Sequence, residues 1–245
     1  MAIVTIGGLT GSGGRQLGQL VAQQLGADYV DRLILTRAAK EVGATVEALH
    51  QREQRPLTTG ERLARFLQRV LERSAMSGAG ADPYFGPGAM AFLTQEYEEV
   101  PQPTITQGHE VEDEKYITVI REVVESLAEA GNTVIVGRGG AIILKDVPKV
   151  LRVGVAASFE DRLSRIMERE KVDKEQANKI IIDRDNARQF YFKRFFGIDT
   201  SNDPSLYHMS INTSEIGLPY AASAVVAAVE AMEKGKLVAK TLNLA

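Results

Sequence analysis

The chain contains no cysteine among its 245 residues. Disulfides, thiol nucleophiles and thiolate metal sites are thereby excluded. Charge of one sign is lacking too: 29 Lys and Arg stand against 32 Asp and Glu, a formal charge of −3. A polyanion such as nucleic acid is therefore not an expected partner, and any phosphate contact must come from a local group of arginines. Long apolar runs are also missing. No stretch reaches the ~18–20 residues that a membrane span needs, and the alanine-rich segment 221–232 is short and ends in charge. The opening MAIVTIGG has no basic leader before an apolar run, so a cytoplasmic protein without membrane contact is expected. His50, His109 and His208 share no metal-like spacing, and no carboxylate pair or Ser/His/Asp grouping suggests hydrolase chemistry. With 25% charged and 44% hydrophobic residues, the composition is that of a globular protein, and the length suits one sizeable α/β domain.

One further absence is local. In TIGGLTGSGGRQLGQLVAQQLG, residues 5–26, Gly8 and Gly13 hold the two glycine positions of a G-x-x-x-x-G-K-[ST] phosphate loop. Gly14 stands where the lysine belongs and Arg15 where the hydroxyl belongs. The context is still that of a phosphate cradle: a β-rich run, glycines, then a helix. Glycines let consecutive N–H groups converge on an anion, and the helix N-terminus adds free donors and a positive dipole end. Thr10 and Ser12 are the loop's hydroxyls, and Arg15 is its one cation. A tight strand-to-helix turn without a ligand is the competing reading. A dinucleotide fingerprint fits less well, because Gln16 stands where its third glycine should be.

Strand and helix patterns alternate along the remainder of the chain. Leu17, Leu20, Val21 and Leu25 give a helix from about residue 13 to Gly26, and ADYVDRLIL offers a short second strand. Helical segments continue to about residue 74, and residues 76–112 carry most of the mid-chain turn formers. Ile117, Ile120, Val124 and Leu127 form a helical stripe, and 132–140 and 150–157 read as buried strands. Ser158 is placed to cap the next helix, a strongly charged helix comes after it, and 206–214 reads as a last strand before a closing helix from about 219 to 234. Such alternation predicts a parallel sheet covered on both faces, with its ligands at the carboxyl ends of the strands. The chemistry is therefore expected at Gly8–Arg15, Asp28–Arg32, Gly137–Gly140, Ala156–Ser158 and Asn212–Ser214.

GSGGRQLGQLVAQQLGADYVDRLIL resembles the start of the cytidylate kinase-like family, a branch of the P-loop nucleoside monophosphate kinases. TVIVGRGGAIILKDVPKVLRVGVAASFEDRLSRI, IIIDRDNARQFYFKRFFG and LYHMSINTSEIG are similar to its Gly-Arg strand end, its arginine-rich lid helix and its last strand and turn. The resemblance covers roughly 1–40 and 113–232. It implies a three-layer P-loop NTPase fold with a parallel five-stranded sheet in one domain, 1–245. Residues 40–112 would be an acceptor-side insertion and 168–200 a helical lid. It implies a phosphotransferase that uses ATP and Mg2+ on a nucleoside monophosphate, with CMP or dCMP as the expected acceptor. Small nucleotides are then the partners, and a homodimer is left open. Another small-molecule acceptor, or a catalytically silent nucleotide-binding protein, are the alternatives.

In that frame Gly8, Thr10, Gly11, Ser12, Gly13, Gly14, Arg15 and Asn212 would hold ATP. Arg15, Arg184 and Arg188 would act on the transferring phosphoryl group, and Asp31, Arg32 and Arg138 would hold the acceptor. No metal ligand is assigned directly, with Ser12 or Asp31 open as routes to Mg2+. Arg184, Arg188 and Tyr191 share a helix face at i, i+4 and i+7, although such a charged helix equally suits a solvated surface. Asp28 competes with Asp31, and Arg162 and Arg165 are weaker candidates. Where bacterial members carry an aspartate that contacts the acceptor's sugar, this chain has Gly139.

Overall fold

The computed structural model describes residues 2–31, 35 and 107–237, apart from the side chains of 107–116. Arg32, the helices expected up to residue 74 and most of the turn-rich stretch 76–112 lie outside the described residues. The chain divides into two units, residues 1–36 with 124–245 and residues 37–123. All the candidate site residues belong to the first.

That unit is a five-stranded, wholly parallel sheet. Its strands are β1 (Ile3–Gly8), β2 (Asp28–Val30), β3 (Thr133–Val136), β4 (Val150–Ala156) and β5 (Met209–Asn212). Their order across the sheet is β2-β3-β1-β4-β5. The helices are α1 (Gly14–Leu25), α2 (Gln107–Ala130), α3 (Gly140–Ile143), α4 (Phe159–Glu170), α5 (Lys174–Phe196) and α6 (Leu218–Glu233). Because successive strand residues face opposite ways, Val4 and Ile6 pack with Leu17 and Val21 of α1 and with Ala222 and Val225 of α6. Val153 and Val155 of the neighbouring strand join them. Thr5 turns to the other face, where its methyl lies near Gly140 at the start of α3.

The helices α1 and α6 and the strand β4 match their expected bounds within a residue or two, whereas β2 is shorter than ADYVDRLIL and β3 ends at Val136 rather than at 140, because Gly137, Arg138 and Gly139 take positive φ. Ser158 caps α4 by accepting from Asp161 N–H, and α5 opens with a reciprocal capping box between Asp173 and Gln176. The last strand is shorter than 206–214, because Pro204–Leu206 form a 3-10 turn and His208 precedes the strand. Parallel strands place every loop that leaves them at one edge. Gly8, Val30, Val136, Ala156 and Asn212 end the five strands there.

Candidate active site

The loop Leu9–Gly13 joins β1 to α1 at the centre of that edge, and its backbone is held from one side. Thr10 O accepts from Arg162 Nε at 2.7 Å, Gly11 O from Arg165 Nη1 at 3.3 Å, and Ser12 O from Thr213 Oγ1 at 2.8 Å. Across a trans peptide the C=O of one residue and the N–H of the next point in opposite directions. Fixing these three carbonyls therefore turns the amides of Gly11, Ser12 and Gly13 away from α4 and the β5 turn. Ser12 N–H closes the loop on Leu9 O. Among the described residues the amides of Gly11, Gly13 and Gly14 have no backbone partner, and they precede the first α1 bond from Leu17 N–H to Gly13 O. The sequence suggests an anion cradle, and these carbonyl contacts are what orient one.

Arg162 and Arg165 lie three residues apart on α4, directly after the end of β4, and so face the loop together. Arg162 is buried and also pairs with Asp185 of α5, whose other oxygen accepts from Thr10 N–H at 2.9 Å. Both backbone polar groups of Thr10 are thus tied to the charged helices. Arg165 donates to Thr213 Oγ1 and Thr213 O, each at 2.8 Å. Thr213 is buried, so removing its hydroxyl leaves Ser12 O and part of Arg165 without a partner. Thr213→Val is expected to lower stability by about 2 kcal/mol, read as a lower urea midpoint.

The residues expected at the site divide into groups. Arg15 Nη2 pairs with Asp31 Oδ2 at 2.9 Å, which joins the loop's cation to the carboxyl end of β2. Asp28 begins that strand and stands at its opposite end. Ser12 is buried and its hydroxyl donates to Leu9 O at 2.5 Å, so it shapes the loop. Asn212 is exposed and its Oδ1 accepts from Ser214 N–H, which makes it a turn cap in this structure. Its neighbour Thr213 is the residue that reaches the loop.

After β3 the backbone takes three left-handed residues in a row: Gly137 at φ 88°, Arg138 at φ 51° and Gly139 at φ 73°. A side chain in that region at Arg138 carries a strain of about 1–3 kcal/mol, and such strain gathers at ligand sites. Arg138 O accepts from Tyr191 Oη, and its guanidinium lies 5.6 Å from the Tyr191 ring centre. Within the helical stripe, Arg188 Nη2 donates to Ser201 O and Tyr207 Oη, and Phe192 lies 4.4 Å beneath the guanidinium. Burial lowers the Arg188 pKa, against the opposing influence of Tyr207 and Asp185. Arg184 turns the other way and donates to Glu170 at 3.0 Å. Burial pushes the Glu170 carboxyl up, but hydrogen bonds from Arg184 and Arg169 outweigh it and hold the carboxyl below its ordinary value. The structure therefore brings Arg138 and Arg188 to the strand-end edge and engages Arg184 with α4.

Residues 3–215 match the cytidylate kinase-like family. The chain belongs to that family. As a member, it is a phosphotransferase of the nucleoside monophosphate kinase kind. The cytidylate kinase of Methanocaldococcus jannaschii is 32% identical over 130 residues, 52% of this chain and 70% of that protein. The cytidylate kinase of Methanoregula boonei is 27% identical over 124 residues, 50% of this chain and 66% of that one. A crystal structure of an uncharacterized protein from Eubacterium ventriosum shares the fold, with a TM-score of 0.60 at 16% identity. That likeness covers 94% of this chain and 99% of the other. Among the described residues no helix is long and apolar enough to cross a membrane, and no three His, Asp or Glu side chains group as metal ligands.

Proposed function

We propose that this protein transfers the γ-phosphoryl group of ATP to a nucleoside monophosphate, with CMP and dCMP as the first acceptors to consider. The observation that carries the reading is the loop whose carbonyls are held back by Arg162, Arg165 and Thr213, leaving its amides for a phosphate tail. Phosphoryl transfer asks for positioning and charge neutralisation more than for covalent chemistry. Here the amides of Gly11, Gly13 and Gly14 hold the triphosphate, Arg15 supplies a cation at the start of α1, and Arg188 neutralises charge on the transferring group. Arg138 receives the acceptor's phosphate. Arg184 is the lid arginine that must leave Glu170 to take part, and α5 closing over the site would exclude water.

Mg2+ fits this site better through Asp31 than through Ser12. The Asp31 carboxylate stands at the carboxyl end of β2, whereas the Ser12 hydroxyl is buried and donates within the loop. When bound with ATP, the ion neutralises phosphate oxygens and fixes their orientation.

The acceptor's identity turns on Gly139. A Cβ there would lie 2.5 Å from two ring atoms of Phe196, and its φ of 73° is one that side chains rarely adopt. The Phe196 ring thus takes the space that a carboxylate at this position would use. This favours keeping a second reading, the same transfer to another small-molecule acceptor. Gly139→Asp is expected to destabilise the protein by about 1–3 kcal/mol through strain and overpacking, with no gain in turnover of CMP. A urea titration and initial rates check both parts.

The test of the function is ADP release from ATP and Mg2+ across CMP, dCMP, UMP, AMP and small phosphorylated or hydroxylated metabolites. Turnover highest with CMP or dCMP is the expected result. Turnover confined to a metabolite moves the assignment to the second reading, and no ADP release with any of them contradicts both.

A further inference from the structure

Gly7 and Gly154 face each other across β1 and β4. Two residues without side chains thus meet on one sheet face, just short of the strand ends. A Cβ on Gly7 would lie 2.6 Å from Tyr207 Oη, and one on Gly154 would lie 2.8 Å from Tyr207 Cδ2. The glycine pair forms a slot, and the Tyr207 ring lies in it. The backbone around the ring is fixed as well: Tyr207 N–H donates to Pro204 O, and His208 N–H donates to Arg152 O of β4. The hydroxyl is therefore held at a set height above the sheet.

At that height it meets Arg188. Arg188 Nη2 donates to Tyr207 Oη at 3.3 Å and to Ser201 O at 3.1 Å, and Tyr207 Oη donates to Ser201 O at 3.4 Å. Phe192 closes the guanidinium from another side at 4.4 Å. With that end held, Arg188 Nε is buried and has no hydrogen-bond partner among the described residues. Arg188 also lines a cavity of about 10 Å³, together with Tyr207, Gly7, Gly137, Gly139 and Gly140 among others. That is room for roughly one water-sized group. A buried cationic N–H without a partner is unfavourable until something accepts from it, and an anionic oxygen accepts most strongly.

We propose that Tyr207 is a positioning residue, whose hydroxyl, set by the Gly7–Gly154 slot, aims the Arg188 guanidinium at a phosphoryl oxygen in this crevice. The inference rests on the transferase reading for the identity of that oxygen. Tyr207 touches no reacting atom and acts through Arg188 alone.

A double-mutant cycle with Tyr207→Phe, Arg188→Ala and the pair tests it. Tyr207→Phe keeps the ring in its slot and removes only the hydroxyl. It is expected to lower kcat about tenfold, with the urea midpoint and the KM for ATP within about twofold of the parent. In the Arg188→Ala background it is expected to have no further effect. Calorimetric titration with inorganic phosphate is the second measurement, with affinity lowered by either substitution and not lowered further by both. Unchanged kcat and phosphate affinity in Tyr207→Phe, or losses that multiply in the pair, overturn the proposal. If no acceptor turns over but the phosphate cycle shows coupling, the kinase reading falls and the role of Tyr207 stands. If turnover occurs without measurable phosphate binding, the kcat cycle decides alone, and if neither is seen, both fall.

Discussion

Arg188→Ala is expected to lower kcat about 1000-fold, the largest effect of any single substitution at this edge, with a much smaller change in the KM for ATP. A guanidinium that meets charge developing on a transferring phosphoryl group contributes on this scale, and the contribution appears in kcat because it is made chiefly in the transition state. The geometry gives the reason for choosing Arg188 over its helical neighbour. Arg188 lines the crevice beside Gly137 and Gly139 with its Nε unpartnered among the described residues, whereas Arg184 is ion-paired with Glu170. Arg188→Lys is expected to recover little, since lysine cannot reach Tyr207 and the crevice at once in the planar geometry of a guanidinium. Initial rates at saturating ATP and acceptor read this directly, and a loss below tenfold in Arg188→Ala would remove it from the transfer step.

Arg162→Ala is expected to have the largest effect on stability, a loss of about 2–4 kcal/mol. The substitution leaves Thr10 O without its donor and Asp185, whose side chain is 20% exposed, without its counter-charge. It also frees the Thr10–Gly11 peptide plane, so the KM for ATP is expected to rise about tenfold or more, because the loop amides lose their preset direction. Two measurements separate the contributions. Urea unfolding of Arg162→Ala with Asp185→Asn is expected to recover part of the stability, since the orphaned charge is gone, while the KM for ATP stays high. Recovery of both would mean that the loop does not depend on Arg162 for its orientation.

Arg188 and Arg162 differ in how far the sequence reveals them, and so do the elements around them. The order of strands and helices, the helix cap at Ser158 and the strand–loop–helix unit around Gly13 obey local patterns, and the structure has them close to where those patterns fall. That a parallel sheet collects its loops at one edge is also a rule of topology, and Arg138 and Asp31 lie at that edge. What is not legible is the set of long-range contacts that orient the loop. Arg162, Asp185 and Thr213 reach Thr10 and Ser12 across 152, 175 and 201 residues of chain, and no spacing announces such partners. In sequence Arg162 looks like part of a packing helix, and the available hint is its i, i+3 relation to Arg165 immediately after a strand. Tyr207 reads as an alternating strand residue next to His208. Its role depends on the two facing glycines in different strands, which only the sheet register brings together.

Asn212 and Thr213 illustrate the same limit within one turn. Both stand at the end of the last strand, where the sequence places 212–214 at the ligand edge and Asn212 is the residue expected to hold ATP. In the structure Asn212 caps its own turn, and Thr213, buried, holds the loop. A one-residue change of facing at the end of a strand decides which side chain reaches the site.

The claim on which the rest depends is that the amides around Gly13 grip a triphosphate tail. Amide 15N–1H spectra during titration with ATP and Mg2+ test it most directly. The resonances of Gly11, Gly13, Gly14 and Arg15 are expected to shift together and saturate with a single dissociation constant. Saturable ATP binding that moves other resonances while these four stay in place would contradict it.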